Sequence, residues 1–264
     1  MVTQLLFLGS GSAFTVGADN FQSNLLLTSA RGNRLLIDCG SDIRFSLHSQ
    51  GYSYLDITDI YISHLHADHI GGLEYIGFST KFDPRCPKPN LYLSKELESE
   101  LWERSLAGGM RSVQGDLVSL DFFFNVCPVE ATRSFEWEDI QFNLVKVVHV
   151  DNGYFVVPSY GLGFEVNRMQ VFLTTDTQLH RCLEDYARAD LIFQDCEISF
   201  SPSGVHSHYQ ELVQLPLEIK SKMWLYGYQP GELPHATQDG FKGFVKRGQL
   251  FDFDRLPLQS SLRA

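Results

Sequence analysis

Three histidines and one aspartate lie close together in the segment YISHLHADHIGG, which spans residues 61–72. Imidazole nitrogens and carboxylate oxygens are suitable ligands for zinc, manganese or iron. His64 and His66 are two residues apart at the end of an apolar run, so on a strand they project to the same side and could share one ion. Asp68 and His69 follow where the chain turns into a predicted helix, and they could face a second ion. The alternative interpretation is a polar loop whose histidines are solvated.

The residues around this segment predict a fold in which strands outnumber helices and helices separate pairs of strands. The predicted strands cover residues 4–9, 23–28, 34–40, 59–64, 140–150, 160–166, 169–176, 191–195, 222–228 and 244–253. The predicted helices cover residues 41–50, 94–106, 178–188 and 208–215. Two packed sheets with helices outside, an αββα sandwich of the α/β class, accommodate this order of elements.

The composition indicates one globular domain over residues 1–264, with no apolar run of the length that a membrane span requires. Five cysteines without a CxxC pair suggest neither a disulfide framework nor a cysteine zinc site, which favours the reducing cytoplasm. The formal net charge of −11, without a cluster of Lys and Arg, disfavours binding of a long nucleic acid. A small anionic substrate stays compatible with this charge, because a bound metal supplies positive charge locally.

The segment HLHADH resembles the HxHxDH signature of the metallo-β-lactamase fold superfamily. The resemblance implies that Asp38, in LLIDCG, supports the site from behind the ligands. It also implies that His149 completes the first metal site with His64 and His66, and that Asp176, in FLTTDT, bridges both ions. Taken without the resemblance, a single histidine at a strand end is usually structural, and TTDT could be a helix N-cap.

One ligand that the resemblance leads us to expect is absent. The superfamily places a last histidine at the end of a late strand, where this chain has Leu225–Tyr228 with Gly227 at the expected position. The resemblance implies two divalent ions, zinc being expected and manganese or iron the alternatives, but a glycine side chain binds no metal. We therefore expect weaker occupancy of the second site. Three explanations stay open: the protein tolerates the loss, His235 or Tyr228 compensates for it, or this is an altered or impaired form.

Two further segments resemble the ribonuclease Z-like branch of the superfamily. LGSGSAF is similar to the LGTGSA opening of that branch, and LIFQDCEISF followed by GVHSHYQEL is similar to its pairing of an acidic residue with a later histidine. This similarity implies that Asp195 orients His206 and that His206 protonates the leaving oxygen, with His208 as an alternative donor. Taken without the resemblance, Asp195 is a carboxylate at a strand end and His206 is a loop residue.

Only 27 residues (176 − 149) separate His149 from Asp176, too few for the tRNA-binding arm of ribonuclease Z. The chain is more similar to the compact cyclic-nucleotide phosphodiesterases and the phage anti-Pycsar nucleases, in VPSYGLGFEV, TTDTQ and GFVKRGQLFDF. This resemblance implies a metal-dependent phosphodiesterase that hydrolyses a small phosphodiester, foremost a 3′,5′-cyclic mononucleotide, by attack of a metal-bound hydroxide. Asp68 would bind metal and could orient the nucleophile. Two alternatives stay open, a non-catalytic or impaired relative that captures a ligand, and a lactone or ester hydrolase.

The same resemblance implies a homodimer, and a lid or dimer surface within residues 81–127. Trp102, Met110 and the run Phe122–Phe124 could stack on a nucleobase there, but an aromatic run on a strand is more often part of the core. The expected partners are thus a small anionic nucleotide and a second copy of the chain, with neither a long nucleic acid nor a membrane.

Overall fold

The computed structural model describes residues 2–16, 19–130, 133–180 and 183–256. The strands are β1 Val2–Phe7, β2 Leu25–Ser29, β3 Arg34–Ile37, β4 Asp59–Ile62, β5 Asn90–Ser94, β6 Ser112–Val113, β7 Asp116–Leu117, β8 Asn125–Val129, β9 Ser134–Trp137, β10 Ile140–Asp151, β11 Val156–Val166, β12 Met169–Leu173, β13 Leu191–Asp195, β14 Met223–Tyr226, β15 Gly243–Phe244 and β16 Leu250–Asp252. The helices are α1 Ile43–Ser49, α2 Ala67–Ile70, α3 Leu73–Phe82, α4 Lys95–Glu100, α5 Ala107–Met110, α6 Leu183–Arg188, α7 Tyr209–Leu212 and α8 Leu217–Lys220. A π-helical segment, Leu101–Leu106, joins α4 to α5.

Two seven-stranded mixed sheets form the fold, in the orders β16-β1-β2-β3-β4-β5-β8 and β15-β14-β13-β12-β11-β10-β9. Strands β3, β4, β5 and β8 of the first sheet run parallel, as do β12 to β15 of the second. Ligand and catalytic residues of α/β sheets commonly lie at the carboxyl ends of such strands. The segments that follow β4, β12, β13 and β14 therefore come together at one edge of the molecule.

Aromatic side chains fill the space between the two sheets. The ring of Phe7 on β1 lies 5.3 Å from that of Phe193 on β13 and 5.5 Å from that of Tyr226 on β14, measured between centroids. Along β10, Ile140, Phe142 and Leu144 are buried while the residues between them are exposed, which is the period of two that a strand with one buried face requires. The predicted αββα sandwich is thus confirmed.

The helix predicted over 178–188 begins later than expected. Within the described residues it covers Leu183–Arg188, while residues 181 and 182 lie outside them. The backbone N–H of Gln178 donates to the carbonyl of Val148 at 2.7 Å, which ties the start of this segment to β10 instead of to a helical turn. The helix predicted over 208–215 is shorter too, because Pro216 lies beyond it and begins α8 as its N-cap.

The single strand predicted over 244–253 is wrong. Residues 243–244 form β15 in the second sheet, and residues 250–252 form β16 in the first. A turn between them contains Gly248, whose φ of +75° is readily adopted by glycine alone. The chain thus crosses from one sheet to the other, a change that hydrophobic periodicity does not reveal.

Part of the span 81–127 belongs to the core of the sandwich. Strands β5 and β8 lie in the first sheet, and the side chains of Met110, Phe123 and Phe124 are fully buried. The interpretation of these aromatic residues as core is supported, while the role of the span as a lid or dimer surface stays a prediction. No helix in the described part of the chain combines the length and the apolar character needed to cross a membrane.

Candidate metal centre

The HLHADH segment changes from extended backbone to helix between its second and third ligand-type residues. His64 follows the buried strand β4, and His66 is the N-cap of α2 in an extended conformation, with φ −75° and ψ 154°. Asp68 and His69 then lie in the single turn of α2 and are both buried. The backbone thus divides the four side chains into two pairs, as the spacing predicted.

A third histidine joins the first pair from the second sheet. His149, near the end of β10, places Nε2 3.1 Å from Nδ1 of His66, and Nε2 of His64 lies 3.1 Å from the same atom. These three nitrogens form one group whose ligand atoms all lie within 4.8 Å of one another. The structure therefore brings together the three residues predicted to hold the first ion.

Hydrogen bonds that His149 and His64 make away from the centre determine which of their ring nitrogens can bind a metal. Nδ1 of His149 donates to the carbonyl of Val205 at 2.7 Å, so its Nε2 carries the lone pair. Ser63 Oγ donates to Asp38 at 2.8 Å and must accept from Nδ1 of His64 at 3.0 Å, which leaves Nε2 of His64 with a lone pair as well. A single proton on His66 Nδ1 can satisfy only one of the two contacts at 3.1 Å, which leaves a lone pair of the other histidine without a donor, so this set of nitrogens fits a divalent metal.

A second group forms around His69. Its Nδ1 donates to Asp38 Oδ2 at 2.7 Å, so the opposite nitrogen, Nε2, is the one that faces the centre. This Nε2 is buried and makes no hydrogen bond to any described residue, although Asp68 Oδ2 lies 3.0 Å away and Asp176 Oδ2 3.3 Å away. Two carboxylate oxygens this close to Nε2 require positive charge, which either a proton on that nitrogen or a metal ion in its place supplies. Asp68, His69 and Asp176 therefore fit a second divalent ion, as the resemblance implied.

The pKa shifts of the histidines also indicate that one side of the centre attracts positive charge. Burial disfavours an imidazolium at His69, but three surrounding carboxylates outweigh burial and raise the pKa of His69 well above its usual value. Burial, with neighbouring imidazoles, lowers the pKa of His64 well below its usual value and keeps that ring neutral. The carboxylate side of the centre attracts a cation, while the histidine side offers neutral donors.

Asp195 and His206 form a pair beside this centre. Nδ1 of His206 donates to Asp195 Oδ2 at 2.8 Å, and the N–H of Thr177 donates to the same oxygen at 3.0 Å. The ring of His206 lies 4.9 Å from that of His149, and its Nδ1 is 3.9 Å from Asp176 Oδ2. Burial disfavours the charged imidazole, but the adjacent carboxylates outweigh burial and raise the pKa of His206 to about 10. The pairing expected from the sequence is therefore present in the structure.

Sequence comparison shows the family to which this chain belongs. The family described as Anti-Pycsar protein Apyc1 matches residues 3–251. The chain belongs to this family. An Anti-Pycsar protein Apyc1 of Bacillus phage BSP38 is 33% identical to it over 258 residues, which cover 94% of this chain and 98% of that protein. Membership of this family and the histidine–aspartate groups together identify the chain as a metallo-hydrolase that uses divalent metal.

Solved structures share the fold. The metallo-β-lactamase fold protein YhfI from Bacillus subtilis superposes with a TM-score of 0.72 at 16% identity, over 95% of this chain and 99% of that one. A diphosphatase from the PhnP family superposes with a TM-score of 0.69 at 21% identity, over 96% of this chain and 98% of that one. These likenesses confirm the metallo-β-lactamase fold expected from HLHADH.

The structure explains why residue 227 is a glycine. Gly227 has a φ of +81°, in the left-handed region that favours glycine, and a Cβ added to it would lie 2.6 Å from Asp195 Oδ1. That carboxylate oxygen is buried and makes no hydrogen bond to the residues that the structure describes. Asp195 thus lies where a side chain at position 227 would begin. A histidine side chain at position 227 is therefore incompatible with this arrangement.

Neither of the two side chains considered as replacements for the missing histidine reaches the centre. The hydroxyl of Tyr228 donates to the carbonyl of Val245 at 2.7 Å and lies 3.1 Å from Ser10 Oγ. His235 is exposed and belongs to no histidine–aspartate group among the described residues. His206 is instead the further histidine near the second site, grouped with His149 and Asp176.

Three residues near the centre were not singled out from the sequence. Ser63 contacts His64, the carbonyl of Val205 contacts His149, and the buried carboxylate of Glu197 anchors the loop before His206. Only Glu197 could have been found from the sequence, because it is an acidic residue within the segment LIFQDCEISF. A contact made by a backbone carbonyl, such as that of Val205, leaves no trace in the sequence. His208, considered as a second proton donor, is the N-cap of α7, with Nδ1 accepting from the N–H of Gln210.

Proposed function

We propose that this protein is a metal-dependent phosphodiesterase whose substrate is a 3′,5′-cyclic mononucleotide. The observation that carries the proposal is the Asp195–His206 pair beside two groups of metal-ligand side chains. A metal cluster alone serves many hydrolases, whereas a carboxylate-held histidine beside it supplies the proton that an alkoxide leaving group requires. Anti-Pycsar relatives and the fold shared with a diphosphatase support phosphoester chemistry.

Six side chains would hold the ions. His64, His66 and His149 would bind one, and Asp68, His69 and Asp176 the other, with Asp176 placed to contact both. When bound, a pair of divalent ions supplies an activated water and neutralises charge on the phosphoryl oxygens. We propose zinc, with manganese and iron as alternatives, and weaker binding at the second site because Gly227 adds no ligand.

The protein's own contribution to bond cleavage is a positioned proton. Because Nδ1 of His206 donates to Asp195, its Nε2 lies on the opposite edge of the ring and points away from that carboxylate. Nε2–H can then donate to the ribose oxygen as the P–O bond breaks. Thr177 and the buried position of Asp195 keep the carboxylate, and with it the ring, in one orientation.

The size of the site favours a small substrate. The hairpin formed by β10 and β11 takes up most of the interval between His149 and Asp176, and the net charge of −11 opposes a polyanion. A cyclic mononucleotide has one phosphodiester and one negative charge, which the two ions can balance. We propose accordingly a small anionic nucleotide as the partner, no long nucleic acid, a homodimer and a cytoplasmic location.

The test is hydrolysis of a panel of 3′,5′-cyclic mononucleotides by protein loaded with zinc or with manganese. Turnover of at least one member is expected, and His66→Ala is expected to remove it because the first site loses a ligand that the other two histidines cannot replace. Circular dichroism of the variant serves as the folding control. A fully metallated protein that leaves the whole panel intact contradicts the proposal.

Gly227 gives a specific reason to keep a second candidate, a protein that captures a nucleotide without turning it over. Metal analysis distinguishes the two, because capture predicts one ion per chain and binding of the nucleotide without product. A lactone included in the same panel tests the ester-hydrolase alternative. Hydrolysis of the lactone but of no phosphodiester would favour that alternative.

A further inference from the structure

The loop between β13 and α7 carries two functional groups of the candidate centre. His206 lies at its end, and the carbonyl of Val205 accepts from Nδ1 of His149, a ligand of the first site. Phe200, Ser203 and Gly204 of this loop are exposed, Phe200 fully, so the middle of the loop has no apolar anchor in the core. Polar contacts must therefore hold His206 and the carbonyl of Val205 in their positions beside the centre.

The buried carboxylate of Glu197 makes most of those contacts. The N–H of Ser203 donates to Glu197 Oε2 at 3.0 Å and its hydroxyl donates to the same oxygen at 2.8 Å, while the hydroxyl of Ser199 donates to Oε1. The backbone of Glu197 closes the base of the loop, because its N–H donates to the carbonyl of Ser207 at 2.9 Å and its carbonyl accepts from Tyr209 at 2.8 Å. One residue thus fixes both the ends and the middle of the loop.

A chain of contacts leads from this carboxylate to the metal ligand. Ser203 Oγ donates to Glu197 and accepts from the N–H of Val205 at 3.3 Å. The carbonyl of Val205 then accepts from His149 at 2.7 Å. Hydrogen-bond partners of a ligating histidine fix its tautomer and orientation, and their loss typically lowers metal affinity or activity about 10–100-fold.

We propose that Glu197 is a positioning residue that sets the orientation of His149 through Val205 and, by the same loop, the place of His206. The proposal rests on the proposed metal-dependent function. It assigns to one carboxylate, outside the two groups of ligand side chains, the coupling of the first metal site to the proton donor.

The test uses cobalt(II) as a spectroscopic substitute for the native ion in the full-length protein. In Glu197→Gln the amide cannot accept from all the donors that the carboxylate serves, so His149 loses its fixed tautomer and orientation. We expect a changed visible absorption of bound cobalt and an affinity for cobalt lowered about tenfold in competition with a chelator. Ser203→Ala should show the same change, to a smaller extent.

The matched control is Asp59→Asn. Asp59 is also a buried carboxylate, accepting from Asn90 and Thr58 at 2.8 Å each, but it begins β4 at the end opposite to His64. It should lose stability yet keep the cobalt spectrum and affinity of the natural protein. If Glu197→Gln keeps the cobalt spectrum and affinity, as this control should, Glu197 is only structural and the proposal is overturned. If Glu197→Gln does not fold, Ser203→Ala decides instead, and an unchanged cobalt spectrum and affinity in that variant overturns the proposal.

Kinetics of the same variants separate this proposal from the proposed function. With a hydrolysed cyclic nucleotide, Glu197→Gln is expected to lower kcat about tenfold or more and to change KM less than threefold, because the loop serves the chemical step. Cobalt binding needs no substrate. Absence of turnover in the natural protein would therefore end the proposed function while the cobalt measurement still decides the role of Glu197.

Discussion

At the scale of single residues, the centre depends on the hydrogen-bond partner that each histidine has on the side of the ring facing away from the centre. His149 and His69 each donate one N–H to a protein acceptor, and His64 donates to Ser63, so in each ring, when neutral, the nitrogen that faces the centre carries the lone pair. Neutral imidazole is the form that binds metal. The outer partners therefore matter as much as the HxHxDH spacing itself.

His206 and His208 differ sharply in role although two residues separate them. His206→Ala should lower kcat about 10²–10⁴-fold, because it removes the proton donor that Asp195 holds beside the centre. His208→Ala should lower kcat far less than that and lower the free energy of unfolding by about 1 kcal/mol, since it removes an N-cap and the hydrogen bond from Nε2 to the carbonyl of Ser199. Steady-state kinetics and urea unfolding measure the two effects. Equal losses of kcat in both variants would contradict this assignment.

Gly227 is constrained by its backbone conformation and by Asp195 together. Gly227→Ala should destabilise the protein more than Gly32→Ala, which has a similar φ of +85° but open space at its Cβ position. The left-handed conformation alone accounts for about 1 kcal/mol or more in each variant, and the overlap with Asp195 adds to it only at position 227. Gly227→His should not increase metal content.

Thermal unfolding compares the two alanine variants, and metal analysis tests the histidine variant. Equal stability of Gly227→Ala and Gly32→Ala, or a second ion gained by Gly227→His, would show that the space at position 227 is less restricted than the structure indicates.

At the scale of elements, β13 links the core to the Asp195–His206 pair. It is buried along its whole length and ends at Asp195, while its Phe193 packs between the sheets, 5.3 Å from the ring of Phe7 and 4.8 Å from that of Phe251. Packing in the middle of this strand therefore sets the position of the carboxylate at its end.

Phe193→Ala should lower the free energy of unfolding by about 3–5 kcal/mol, because it leaves a large cavity between two sheets that cannot close around it. The exposed Phe200 is the matched control, and Phe200→Ala should change stability by less than about 0.5 kcal/mol. Denaturant unfolding gives both values. A loss below about 1 kcal/mol for Phe193→Ala would argue against the sheet packing described here.

At the scale of the whole molecule, the metal centre joins the two halves of the sandwich. The proposed ligands before residue 70 come from the segment after β4 of the first sheet, whereas His149 and Asp176 come from β10 of the second sheet and the segment after its β12. Ions bound between them should stabilise the folded state, by about 2.7 kcal/mol when free metal exceeds its dissociation constant 100-fold.

Stepwise chelation should therefore lower the melting temperature in two stages. The ion held by Asp68, His69 and Asp176 should leave first, because one histidine and two carboxylates hold it without a further ligand from position 227. His69→Ala should remove the early stage and His149→Ala the late one. Calorimetry with parallel metal analysis measures this order, and release of both ions in one step would contradict unequal sites.

Much of the site was predictable because most of its ligand-type residues lie in short sequence motifs. HLHADH is local, and His149, Asp176 and Asp195 lie in or shortly after strands that apolar runs predict well, while His206 lies in a loop and was identified by the motif that follows β13. The path of 243–252 between two sheets was not predictable, because each short piece pairs with a partner distant in the chain. The start of the helix predicted over 178–188 failed for the same reason, since a hydrogen bond to a distant strand outweighed local propensity.

The order and types of these residues were enough to imply the superfamily, the αββα layers and a metal-dependent hydrolase. Residue types do not reveal which carbonyl faces His149, that Asp195 packs against Gly227, or that Glu197 holds the loop between the two functional groups. Those facts depend on atoms that are near in space but far along the chain, and only the packing of the two sheets brings them within hydrogen-bond distance.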